Sequence, residues 1–228
     1  AITVSVASVA AVILLAWPFM RKRIAAIVHG EIKSLNRQLQ GYVSMAALLG
    51  DAQPLPQLDG WTLSPDNGAE LVRQIFERKP SVLVELGSGS STIIAAALME
   101  KLGTGHVYSV EHEAAFADQT RRLVAQAGLE KRVTLIEAPL TQVSLGDQSA
   151  EWYDPNLLEM LPESIELLLV DGPPERSSEM ARYPAFPMLK ARLGESAVVL
   201  LDDARRKDES RILKRWQKEN PDWEFRMK

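Results

Sequence analysis

The chain has 228 residues, 46% hydrophobic and 25% charged, which is enough apolar material for one sizeable core and a short appendage. A formal net charge of -4 with no basic stripe excludes a general nucleic-acid binder. With no cysteine, a disulfide framework, a thiolate metal site and a cysteine nucleophile are excluded as well.

Residues 1–20 carry no charge, run through Val12, Ile13, Leu14, Leu15 and Trp17, and are followed at once by Arg21, Lys22 and Arg23. This is about the length that crosses a hydrocarbon core of roughly 30 Å. A cleaved signal places its basic residues before the apolar run, so the order here predicts a retained, single-pass membrane anchor over 1–23. The basic flank then places the rest of the chain on the cytoplasmic side. The other reading of this segment is a buried or interfacial helix.

Over 24–50 the apolar positions Val28, Ile32, Leu35, Leu39, Tyr42, Ala46 and Leu49 recur at spacings of four and three, the pattern of a helical seam. The seam could pair with a second copy across 28–49 or pack on the chain's own globular domain. Gly30 and Gly41 weaken it as a free-standing coil. Pro54, Pro56 and Gly60 mark a linker over 51–60, and Ser64-Pro65-Asp66 starts a new helix with proline at its first position.

From 61 to 228 the chain alternates strand and helix. Strands are expected at Ser81 to Leu86, His106 to Glu111, Val133 to Ala138, Ile165 to Asp171 and Ser196 to Asp202, with helices near 90–102, 113–127, 187–193 and 207–219. The fold class is therefore α/β, Rossmann-like and doubly wound, with a mainly parallel sheet covered by helices on both faces. In such sheets ligands collect beyond the carboxyl ends of the strands.

The first strand ends in Glu85-Leu86-Gly87-Ser88-Gly89-Ser90-Ser91-Thr92 and runs straight into a helix. A dinucleotide fingerprint asks for Gly or Ala where Thr92 stands and does not call for Glu85. Glu85 suits a ligand bearing an ammonium group, and Glu111 closes the next strand where a carboxylate can accept from both ribose hydroxyls. The bland alternative is a glycine turn that serves only strand-to-helix packing.

Val84 to Thr92, followed by Ser109-Val110-Glu111-His112, resembles motifs one and two of the class I S-adenosylmethionine-dependent methyltransferases. Gly60 to Pro65, Trp152-Tyr153-Asp154, Leu169 to Pro174 and Leu201 to Ala204 resemble a bacterial group associated with polysaccharide biosynthesis. The resemblance implies S-adenosylmethionine bound along Glu85, Gly87, Ser88, Gly89, Ser90, Ser91 and Thr92. It further implies Glu111 at the ribose and Ala138 with Pro139 at the adenine edge; His112, as a side chain lining the adenine pocket, and Asp171 complete the candidate cofactor set. The class usually has two strands beyond the last helix, so a C-terminal truncation is expected.

Asp171, Asp202 and Asp203 end neighbouring strands, and three such oxygen donors suit Mg²⁺. That arrangement is similar to metal-dependent O-methyltransferases of catechols and sugars, where the cation holds two substrate oxygens. Where those families place a general base, this chain has Pro173 and Pro174. The candidates left are His112, Glu175, Tyr183 and Asp203, or the metal alone. The Gly172 to Phe186 stretch reads as a lid or substrate loop. Its Arg176 and Arg182, with Arg205 and Arg206, could draw an anionic acceptor, and Trp61 with Trp152 and Tyr153 could stack on a sugar. The sequence thus points to methyl transfer to a hydroxyl of a glycan or other small molecule at a membrane. Its rivals are a nicotinamide-dependent sugar oxidoreductase or epimerase and an inactive tethered scaffold.

Overall fold

The computed structural model describes residues 6–50, 63–146 and 148–226. Its elements in chain order are α1 (Val6–Leu49), α2 (Pro65–Arg78), β1 (Val82–Leu86), α3 (Ser90–Leu102), β2 (His106–Glu111), α4 (Ala114–Gln126), β3 (Val133–Glu137), β4 (Leu140–Leu145), β5 (Gln148–Tyr153), α5 (Pro155–Leu158), β6 (Ile165–Val170), α6 (Ala185–Leu189), β7 (Leu193–Leu201) and α7 (Lys207–Glu219). Contacts divide the chain into two units, Ala1–Gln40 and Gly41–Lys228.

The first unit is helical. Helix α1 continues through Pro18 and through Arg21, Lys22 and Arg23, so the expected anchor and the expected heptad helix are parts of one element. Among the described residues no helix is long and apolar enough to cross a membrane. The single-pass span read over residues 1–20 begins outside the described residues, and the described part of α1 does not by itself support it. Residues 1–5, the 51–60 linker and Trp61 lie outside the described residues. Along the seam, Val28, Ile32, Leu35 and Leu39 stay about half exposed. In the second unit Tyr42 packs on the core and Met45 is fully buried in it.

The second unit holds a five-stranded, all-parallel sheet in the order β3-β2-β1-β6-β7. Strand residues alternate between two cores. Leu83, Val107, Leu167 and Leu169 join Leu71, Ile75 and the apolar length of α3 on one face. Val84, Leu86, Val110, Leu168 and Val170 join Trp152, Tyr153, Phe186, Ile212 and Trp216 on the other. A strand apolar on both sides is what a doubly covered parallel sheet requires. The order reverses between β1 and β6, which opens a crevice at their carboxyl ends.

Two features depart from the expected element list. The helix read at 187–193 is α6 followed by a 3₁₀ turn, Lys190–Arg192, and β7 starts already at Leu193. The antiparallel hairpin β4–β5 was not foreseen. Only Val143 of β4 is buried, so the strand lacks the alternation that marks a half-buried one.

Candidate functional site

The crevice is built around the turn after β1. Gly87 has φ 95° and its amide donates to Val110 O at 2.8 Å, which ties the turn to β2. Gly89 has φ 154°, and a Cβ there would meet nothing within 4 Å, so open space lies against the loop backbone. Thr92, whose presence departs from the dinucleotide pattern, explains itself. Its hydroxyl accepts from Gly89 N at 3.0 Å and donates to Glu85 Oε2 at 2.5 Å, while Ser109 Oγ donates to the same oxygen at 2.7 Å. Ser90, Ser91 and Thr92 are all buried.

Glu85 is also buried, and its pKa is pushed up to about 7, by burial first and against hydrogen bonds from Ser91, Thr92 and Ser109. The folded protein therefore binds more protons than the unfolded chain between the ordinary 4.5 and about 7. The contribution of this group is fully present below pH 4.5 and is lost as pH rises through about 7, a loss of about 3 kcal/mol. Glu85→Gln is expected to stabilise the ligand-free protein at pH 8 and far less at pH 5. Urea melts at both pH values check this; equal shifts would show that Glu85 does not titrate in the window.

Glu111 ends β2 and is 4% exposed. Its Oε2 accepts from Ser88 N at 3.0 Å and Ser88 Oγ at 3.2 Å, and its Oε1 accepts from His112 N at 2.7 Å and Glu113 N at 2.9 Å. Burial alone would raise its pKa, but the side chain of His112 and the amides of Glu113 and Ser88 outweigh burial and hold it below the usual range. Ala138 is placed beside it by the bond from Ala138 N to Glu111 O at 2.8 Å. The sequence-predicted Gly87, Ser88, Gly89, Glu111, His112 and Ala138 are thus brought together, with Pro139 next in the chain. His112 Nδ1 lies 2.8 Å from Glu111 Oε1 without hydrogen-bond alignment, and its Nε2 lies 3.4 Å from Glu113. His112 thus stands between carboxylates at the end of β2, with its ring edge-on to Tyr153 at 6.1 Å.

Asp171, Asp202 and Asp203 offer carboxylate oxygens that all lie within 4.8 Å of one another. Asp202 Oδ1 accepts from the side chain of Asn67 on α2 and from Asp203 N at 2.8 Å. Asp171 takes up a proton far more readily than an ordinary aspartate, because of burial and then Asp202, with Arg182 opposing. The donors suit a hard divalent cation in kind. They do not fit one in arrangement, because the buried Arg182 already bonds into the cluster. This also corrects the reading of Arg182 as an exposed attractor of anions. Arg206 pairs with Asp203 at 2.8 Å, and Arg176 links the 172–184 stretch to Glu113 at 2.8 Å.

Tyr183 donates to Glu219 Oε2 at 2.8 Å, and burial and that carboxylate push its pKa up to about 12, which removes it as a base. Glu175 is exposed. Trp152 is fully buried, so the expected sugar stacking by it fails. Beside it Tyr153, equally buried, has a hydroxyl without a hydrogen-bond partner, next to Gly172. Sequence reasoning missed Asn67 and the buried role of Arg182; neither lies in a recognisable motif. Of two cavities of about 300 and 370 Å³ among the described residues, the second is lined in part by Asn67 and Asp202, and neither is lined by the 87–91 loop or Glu111.

Residues 84–204 match the family model described as a methyltransferase domain. The catechol O-methyltransferase of Bos taurus is 29% identical over 154 residues, which are 63% of this chain and 54% of that protein, so the chain spans about half the length of this curated relative. The O-methyltransferase from Bacillus cereus in complex with SAH superposes with a TM-score of 0.51 at 19% identity, over 84% of this chain and 80% of that one. The SAH-bound methyltransferase of Podospora anserina gives 0.50 at 17%, over 70% and 61%. At these identities the two structures establish a shared fold.

Proposed function

This chain belongs to the methyltransferase-domain family whose model covers residues 84–204, and from that premise we propose that it transfers the methyl group of S-adenosylmethionine to a hydroxyl of a saccharide or another small molecule. The observation that carries the reading is the surrounding of the Gly87–Gly89 turn by carboxylates, Glu85 and Glu111 at the ends of β1 and β2 and Asp171 after β6. Such a site favours a cationic sulfonium and ammonium ligand. It disfavours the pyrophosphate of a nicotinamide cofactor, since the amides of Ser88 and Gly89 are already committed to Glu111 and Thr92.

S-adenosylmethionine, when bound, supplies an electrophilic methyl group on a positively charged sulfur. Glu111 would accept from the ribose hydroxyls, and the turn at Gly87 and Gly89 would let backbone approach the methionine part. The carboxyl of Asp171, partly exposed at the strand end, is the group we assign to receive the hydroxyl proton in its ionised form. Transfer to oxygen is supported by the bovine relative, named for it. Calorimetric titration of the full chain with S-adenosylmethionine and, separately, NAD tests the reading. Binding of the methyl donor alone is expected; binding of NAD alone would sink it.

A further inference from the structure

Arg182 is 4% exposed and enters the acidic cluster from the Gly172–Pro184 stretch. Its Nη2 donates to the main-chain oxygen of Asp171 at 2.6 Å and to Asp171 Oδ1 at 3.1 Å. Its Nη1 donates to the main-chain oxygen of Asp202 at 3.0 Å and to Asp203 Oδ2 at 3.5 Å. Its Nε lies 4.0 Å from Oε1 of the buried Glu209. We propose that this guanidinium is the resident cation of the cluster: it takes the place a divalent ion would need, so the protein works without a metal at Asp171, Asp202 and Asp203.

The argument is one of space and charge. A divalent ion must draw carboxylate oxygens to about 2.0–2.6 Å. Here one oxygen of each of two of the three carboxylates, Asp171 Oδ1 and Asp203 Oδ2, is already engaged by Arg182. Asp203 Oδ2 already carries two guanidinium groups, Arg182 at 3.5 Å and Arg206 at 2.8 Å, so a divalent ion would add a third cation to the cluster. Arginine does not deprotonate, so no working pH vacates the position. The planar fork also matches carbonyls at the ends of two adjacent strands, which the point charge of a lysine or a metal ion would not do. One consequence follows for the acceptor and rests on the methyltransferase reading. A metal-held acceptor must turn two neighbouring oxygens toward one ion, whereas an acceptor here needs a single hydroxyl.

The test is Mn²⁺ binding to the full chain, followed by the electron paramagnetic resonance of the free ion, in wild type, Arg182→Met, Arg182→Met/Asp203→Asn and Asp203→Asn. The wild type is expected to bind no Mn²⁺ with a Kd below about 1 mM. Arg182→Met is expected to gain one site at least about tenfold tighter, lost again in the double variant. A wild-type site abolished by Asp203→Asn overturns the proposal. So does a folded Arg182→Met that binds nothing, because the guanidinium would then not be what excludes the ion. If Arg182→Met fails to fold, the comparison of wild type with Asp203→Asn decides alone. Mn²⁺ is measured without the methyl donor, so failure here is separate from failure of the cofactor titration.

Discussion

Glu111→Ala is expected to weaken S-adenosylmethionine binding by about 100-fold or more. Two charge-assisted hydrogen bonds from ribose hydroxyls, each contributing about 1.5–3 kcal/mol, together correspond to roughly two to four orders of magnitude in affinity. The substitution also releases the amides of Ser88, His112 and Glu113, all of which converge on this carboxylate. The turn after β1 therefore loosens at the same time. Calorimetry measures the affinity, and a thermal melt of the same preparation separates a lost ligand contact from a lost fold. Glu111→Gln keeps the shape and one acceptor oxygen, and should fall between wild type and alanine. An alanine variant that binds with unchanged affinity would place the ribose elsewhere.

The second large effect is steric. A Cβ at Gly172 would lie 2.3 Å from Tyr153 Oη and 3.2 Å from Gly87 Cα. Tyr153 is fully buried, edge-on to Trp152 at 5.0 Å and to His112 at 6.1 Å, so its ring has no easy retreat. Gly172→Ala is therefore expected to cost about 1–3 kcal/mol, a fall in melting temperature of roughly 3–10 °C. Because the clash is with the tyrosine hydroxyl, Tyr153→Phe should recover part of the loss. The double variant should differ from the sum of the single ones by at least about 0.5 kcal/mol. Strict additivity would show that the backbone of Gly87, and not Oη, is what Gly172 must avoid.

Much of the fold was legible because its strands are apolar on both faces, as at Val82 to Leu86 and Ile165 to Val170. Glu85 and Glu111 were legible for a related reason: each carboxylate sits at the end or beside the end of an apolar run, where a sheet delivers it to a ligand. The roles of Arg182 and Asn67 were not legible. Composition cannot say that an arginine between prolines is buried, and only the packing of α2 brings Asn67 to Asp202, 135 positions away. The N-terminal segment stays open in the sequence because an apolar run followed by basic residues reads the same in an anchor as in the opening turns of a longer helix. The Leu140–Tyr153 hairpin escaped because its strands turn too few apolar side chains inward.

The stretch from Gly172 to Phe186 reads as a lid from its length and its prolines. Arg182 changes what that stretch can do. Four donor contacts fasten it to the last residues of two adjacent strands, and Met180 N holds Asp208 Oδ2 at 3.2 Å as a further tether. Swinging it outward would strip two strand-end carbonyls and the carboxylate of Asp171 of their Arg182 contacts in a single step, so its opening is a sub-global unfolding event rather than a hinge motion. In kinetic terms the stretch is a fixed wall, and the entry and exit of small molecules during turnover must be timed by some other segment.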